Sequence, residues 1–169
     1  SRLTIMQIDE RYGPVGHPDS NWQQLQAAGL KPGSAEPTIA ILAGQPLAAT
    51  VERYTAELAE QLRQADVRVG LLGLGADGHT AGILPHSPAV TETALVASYR
   101  GEDFERITIT GAAMAQLDEA IVYAAGGAKW PQLERLQTDQ PAPDQPAQLL
   151  KQASRLLIIN DSVGDHLGR

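Results

Sequence analysis

The segment Gly70-Leu71-Leu72-Gly73-Leu74-Gly75-Ala76-Asp77-Gly78-His79 sets an imidazole two positions after a carboxylate, in a run of glycines. Histidine is the natural general base near neutral pH, and a neighbouring carboxylate can fix its tautomer and support its protonated form. Glycines let the backbone turn sharply off a strand and approach a ligand with no Cβ in the way. Asp77 and His79 would then stand at the carboxyl end of a strand, where open α/β sheets hold their ligands. Taken alone, the segment also has a plainer reading: Asp77-Gly78 as a simple turn, with His79 beside a helix N-cap.

Gly73, Gly75 and Gly78 also satisfy G-x-G-x-x-G, the spacing of a dinucleotide site. Such a site needs a full crossover helix next, followed by an acidic residue at the end of the following strand. Pro85 and Pro88 come too soon after His79 for that helix. No nicotinamide or other cofactor is expected. His17 beside Pro18, His86 among prolines and His166 in the tail read as loop or tail residues. No group of histidines and carboxylates has metal-ligand spacing, so no catalytic metal is expected.

The elements that must carry this loop alternate along the chain. Strands are expected at Leu3–Ile8, Thr38–Leu42, Val67–Leu72, Ala94–Ser98, Arg106–Thr110, Ile121–Ala125 and Leu156–Asn160. The runs at Val67, Ile121 and Leu156 are nearly all apolar, as in parallel strands covered on both faces. Helices are expected at Thr50–Gln64, Gly111–Glu119, Ala128–Leu136 and Ala147–Ala153, with another after Asp19-Ser20 that Gly29 ends. Alternation of this kind predicts an α/β protein with a mostly parallel sheet.

Composition narrows the function. The chain has 169 residues and no cysteine, so disulfides, thiolate metal sites and a cysteine nucleophile are excluded. A formal net charge of −7 with 13 basic residues argues against a nucleic-acid surface. A small phosphorylated ligand would have to find its cations in one pocket. No apolar run is long enough to span a bilayer and no signal peptide is apparent, which fits a cytoplasmic protein with no membrane partner.

Five motifs in order then resemble one family. Gly73-Leu-Gly-Ala-Asp-Gly-His-Thr-Ala-Gly-Ile-Leu-Pro85 resembles the G-x-G-x-D-G-H-x-A-x-x-F-P signature of 6-phosphogluconolactonases and the related glucosamine-6-phosphate deaminases. Asp9-Glu10-Arg11 with Ser20-Asn21 resembles the family's D-E-R…S-N segment, and Arg106-Ile-Thr-Ile-Thr110 its R-I-T-L-T strand. Gly126-Gly127-Ala128-Lys129 resembles its G-x-x-K turn, and Pro146-Ala147-Gln148-Leu149-Leu150 with the run to Asp161 its closing elements. The resemblance implies a modified Rossmann-like, mostly parallel sheet with helices on both faces, in one partial, N-terminally truncated domain over residues 3–165.

It also implies roles. His79 would activate water against a lactone carbonyl, with Asp77 and Asp9 in the same pocket. Arg11, Arg106 and Lys129 would meet a phosphate, Arg as a planar fork and Lys as a point charge at a helix start. Asn21 would reach a sugar hydroxyl, and Gly75 and Gly78 would let backbone approach the substrate. Away from the family, Arg11 and Arg106 read equally well as ion-pair partners of Glu10 and of residues 103–105.

The activity implied is hydrolysis of 6-phospho-D-glucono-1,5-lactone. Deaminases of the superfamily usually carry glutamate just before the proline; Leu84 stands there and can accept no proton. Amino-sugar phosphate isomerisation is the alternative reading, and a non-catalytic sugar-phosphate-binding domain a third. The family's upstream Gly-Gly-Ser/Thr-Pro phosphate loop has no counterpart here. An open sheet edge is therefore expected, to be covered by a second copy or a complementing N-terminal segment.

Overall fold

A computed structural model describes residues 3–31 and 38–161. The end of the expected domain, residues 162–165, and His166 lie outside the described residues. The strands are β1 (Ile5–Met6), β2 (Asp9–Arg11), β3 (Thr38–Ile39), β4 (Val69–Gly73), β5 (Val96–Arg100), β6 (Glu105–Ile109), β7 (Glu119–Ala124) and β8 (Leu156–Asn160). The α-helices are α1 (Asn21–Ala27), α2 (Leu47–Gln64), α3 (Gly111–Met114) and α4 (Trp130–Leu136).

The α/β class holds, with its parallel part in two places. β4, β7 and β8 form a parallel sheet in the order β4-β7-β8, and β1 pairs in parallel with β3. The third sheet, β2-β6-β5, is antiparallel. A tight hairpin imposes this on β5 and β6: Gly101 N–H donates to the Phe104 carbonyl at 2.8 Å, a link too short for a parallel crossover. Asp9–Arg11, expected to follow a strand, is itself a strand.

Periodicity explains α2. Thr50, Tyr54, Leu58 and Leu62 recur every fourth residue and are its buried set. Arg53, part-buried, pairs with Glu57 one turn on and donates to the Ala40 carbonyl at 3.2 Å, while the Glu60–Arg63 pair is exposed. The segment Pro146–Gln152 forms a 3-10 helix where an α-helix was expected, and α3 stops at Met114, well short of Glu119. Leu74, Ile83, Ile107, Met114, Val122 and Leu150 fill the core between the sheets.

Helices do not cover both faces of the parallel sheet among the described residues. On its inner face Leu72, Ala120, Val122 and Ala124 are buried. On the outer face Val69, Leu71, Tyr123 and Ile159 are 48–69% exposed. Strand alternation puts these four on one side, and the register sets Tyr123 directly beside Ile159.

Candidate functional site

The loop after β4 is built around its own glycines. His79 Nδ1 lies 2.6 Å from Asp77 Oδ1, and the His79 backbone N–H donates to the same oxygen at 3.1 Å. Gly75 N–H donates to the His79 carbonyl at 2.9 Å, and Gly78 N–H to the Gly75 carbonyl at 3.0 Å. Gly78 has φ +90°, open to glycine at little cost. Loss of hydration raises the Asp77 carboxyl, but hydrogen bonds and charge from His79 outweigh it and hold the group below its ordinary value. Both side chains remain part-exposed, so water reaches them.

Two supports grip the loop. On one side Gln132 Nε2 donates to the Ala76 carbonyl at 3.2 Å and Ala147 N–H to the Gly78 carbonyl at 3.0 Å. Gln145, fully buried, donates to the Gln132 carbonyl at 2.8 Å. On the other side the chain after His79 makes a turn closed by Ile83 N–H to the Thr80 carbonyl at 3.0 Å. That turn rests on the antiparallel sheet: a Cβ at residue 82 would stand 2.9 Å from Thr108 Cβ and 3.2 Å from Asp9 Cβ.

The same sheet face carries Arg11 and Arg106. Asp9 is opposite Thr108 and Arg11 opposite Arg106, so alternation puts all four on one side. Asp9 is mostly buried; burial raises its carboxyl above the ordinary value, and the hydrogen bond from Asn21 and the charge of Arg11 offset only part of this. Asn21 Nδ2 donates to Asp9 Oδ2 at 2.9 Å. The structure thus brings Asp9, Arg11 and Arg106 onto the sheet that supports the His79 turn, with Asn21 of α1 bonded to Asp9.

The Arg11 guanidinium turns away from the Glu10 carboxylate, which Arg11 reaches only through its backbone N–H. It donates to the Asp19 carbonyl at 3.0 Å and lies over Phe104, 5.6 Å from the ring centroid. Arg106 does pair with Asp103, at 2.9 Å. The Nε of each arginine is buried without a partner. Like charges directly opposite on a sheet repel, and an anion between them would relieve that cost. An open cleft of about 590 Å³ runs past Arg106, lined also by Leu84, Ser87, Tyr99 and Arg100. Ser87 Oγ is likewise buried and unpaired.

Lys129 stands at the head of the element that supplies Gln132 to the loop. It follows a 3-10 turn (Gly127–Lys129) and caps α4. A helix of seven residues with Pro131 in its first turn offers few free N–H groups, so its start is a poor anion site. Among the described residues no cluster could hold a metal ion.

Sequence reasoning missed Glu10. Its carboxylate is 1% exposed and accepts hydrogen bonds from Gln7, Ser20 and the backbone N–H groups of Arg11, Asn21 and Trp22. Alternation along Asp9-Glu10-Arg11 was the available signal, since it turns Glu10 away from its neighbours. Gln132, Gln145, Thr108 and Tyr99 had no comparable signal.

The family model described as glucosamine-6-phosphate isomerases/6-phosphogluconolactonase matches residues 1–159. The chain belongs to that family. A 6-phosphogluconolactonase from Synechocystis sp. is 30% identical over 98% of this chain and 74% of its own length. The Streptomyces coelicolor 6-phosphogluconolactonase is 34% identical over 75% of this chain, and the match spans just over half of that protein, 55%. The solved Thermotoga maritima 6-phosphogluconolactonase superposes with a TM-score of 0.78 at 21% identity, over 93% of this chain and 72% of that one. A monomeric glucosamine-6-phosphate deaminase reaches the same TM-score at 17% identity, over 97% and 74%. The family's fold therefore does not separate the two chemistries, and the loop must.

Proposed function

We propose that the chain hydrolyses 6-phospho-D-glucono-1,5-lactone to 6-phosphogluconate, in the oxidative pentose phosphate pathway, without a cofactor. The observation that carries this reading is the His79–Asp77 pair at 2.6 Å on a loop that abuts the sheet of Asp9, Arg11 and Arg106. With Nδ1 held by Asp77, Nε2 is the nitrogen left to take a proton from water. The hydroxide adds to the lactone carbonyl, giving a tetrahedral oxyanion. Collapse breaks the bond from C1 to the ring oxygen, and that oxygen leaves with the proton His79 returns. A positioned base supplies roughly 10²- to 10⁴-fold.

The phosphate is assigned to the Arg11–Arg106 side, where two buried Nε groups lack partners; Lys129 approaches from the start of α4. Asn21 is spent on Asp9, so its part in sugar recognition runs through that carboxylate. Gly75 and Gly78 bring their own backbone close to the substrate. Leu84 stands where a deaminase places its glutamate, which favours the lactonase over isomerisation; the His79–Asp77 pair favours it over a purely binding domain.

Among the described residues one sheet face is bare and β4 stands at the sheet's edge, which calls for a cover. The relatives' unmatched length, about a quarter in Synechocystis sp., is the proposed source, ahead of a second copy of the chain. A phosphorylated sugar does not cross a bilayer, so the enzyme belongs where its lactone forms, and we place it in the cytoplasm. No described helix is long and apolar enough to cross a membrane.

The test is turnover of freshly made 6-phosphogluconolactone beside a His79→Ala control. Rates equal with and without the imidazole would reject the hydrolase. Release of ammonia from glucosamine 6-phosphate would favour the isomerase. Thermal stabilisation by 6-phosphogluconate without turnover would mark a binding module.

A further inference from the structure

We infer that Tyr99 and Thr108 are positioning residues for His79: their hydroxyls clamp the peptide of Gly82 and so fix the catalytic loop against the sheet that bears Asp9. The inference rests on the reading of His79 as the base. It concerns two side chains whose hydroxyls bond to the Gly82 peptide rather than to Asp77 or His79.

The clamp holds both polar groups of one glycine. Thr108 Oγ1 accepts from Gly82 N–H at 3.0 Å, and donates its own proton to the Ile109 carbonyl at 2.9 Å. Tyr99 Oη donates to the Gly82 carbonyl at 2.6 Å and accepts from Leu84 N–H at 3.3 Å. Thr108 is fully buried and Tyr99 nearly so, and Gly82 is buried too. Bonds shielded from water in this way resist exchange with solvent, and an orphaned partner would be costly.

The clamped turn is also strained. Ala81 adopts φ +50°, a left-handed conformation that disfavours any residue with a Cβ. Thr80 and Ile83, which flank it, are fully buried, and Thr80 Oγ1 is tied back to the Gly73 carbonyl at 2.9 Å. Strain of this kind persists only where surrounding contacts over-determine it. His79 directly precedes Thr80, and its own carbonyl is bonded to Gly75. A turn free to relax would therefore move the imidazole relative to Asp77 on one side and Asp9 on the other.

The clamp also joins two separate sheets. The loop grows from the parallel sheet through β4, whereas Tyr99 and Thr108 belong to the antiparallel one. Their hydroxyls set the separation between the proposed base and the proposed anion site.

The experiment compares Tyr99→Phe, Thr108→Val and Thr108→Ser in the protein labelled with ¹⁵N-histidine. The His79 ring nitrogens report the tautomer held by Asp77 in the ligand-free protein; lactone kinetics give kcat and KM, and calorimetry gives Tm. Tyr99→Phe and Thr108→Val should shift the His79 ring resonances toward a mixed tautomer. They should also lower kcat by about 10- to 100-fold with KM nearly unchanged, as misplacement of a reacting group does. Thr108→Ser, which keeps the hydroxyl, should restore both. Parental ring signals and kcat in the folded Phe and Val variants would overturn the inference. An equal loss in Thr108→Ser would do so as well, because methyl packing would then be the cause. If Tyr99→Phe fails to fold, the Val and Ser pair decides. A parent without lactonase turnover would reject the function proposed above, while the ring signals would still judge the clamp.

Discussion

A Cβ on residue 75 would stand 2.1 Å from Nδ1 of His79, a separation no pair of unbonded atoms tolerates. Gly75 is thus a steric condition for the His79–Asp77 pair, since the same Cβ would also meet Asp77 Oδ1 at 2.5 Å. Gly73, by contrast, has open space where a Cβ would go.

Gly75→Ala should therefore expel the imidazole from its place while leaving the core intact. We expect kcat to fall by roughly 100-fold or more, close to the His79→Ala value, because a base moved from its productive geometry contributes little. Circular dichroism should stay parental. A Gly73→Ala variant, made in parallel, should retain most of the activity.

Asp77→Asn keeps the shape of the side chain and removes the carboxylate that holds Nδ1 of His79. Turnover should drop by about two orders of magnitude or more, as when a histidine base loses the carboxylate that orients it. The Asp77 carboxyl sits below its ordinary value, so its ionised form stabilises the fold above the unfolded value of 3.8. That stability is lost as pH falls through the lowered folded value. Acid unfolding followed by fluorescence should show a shallower loss in the variant.

Asp9 predicts the opposite sign. Its folded value is raised above 3.8, so in the window between the two the folded chain binds more protons than the unfolded one. Stability falls as pH rises through that window, and the deficit persists at neutral pH. Asp9→Asn should raise Tm at pH 7, lower lactonase turnover and flatten the dependence of Tm on pH across the window. A lower Tm at pH 7 would contradict this account.

Glu10→Ala should be the most destabilising of these changes. The carboxylate collects five donors while buried, and its loss would orphan them. Charged hydrogen bonds of this kind contribute about 1.5–3 kcal/mol each when lost singly and do not add, so a total of roughly 3–5 kcal/mol is expected. Chemical denaturation measures it. Because Asn21 is positioned by Glu10 and itself holds Asp9, turnover should fall as well, even at temperatures where the variant stays folded.

Much of the site was legible in the chain itself. The order strand, glycine turn, carboxylate, imidazole dictates a local geometry, because residues two apart on a glycine turn can meet without help from elsewhere. The four-residue recurrence of Thr50, Tyr54, Leu58 and Leu62 likewise determined which side of α2 is buried. The family motifs pointed to Asp9, Arg11, Asn21, Arg106 and Lys129 as parts of one candidate site. Only tertiary structure decided how the Asp9, Arg11 and Arg106 part of it is assembled: an antiparallel pairing of residues 9–11 with residues 106–108, docked on Gly82. It also decided that Glu10 turns inward, that residues 146–152 form a 3-10 helix, and that Leu71 and Tyr123 face outward, exposed among the described residues. Local preferences act over a few residues. Contacts between segments a hundred residues apart depend on which surfaces close-pack, and no short-range pattern carries that information.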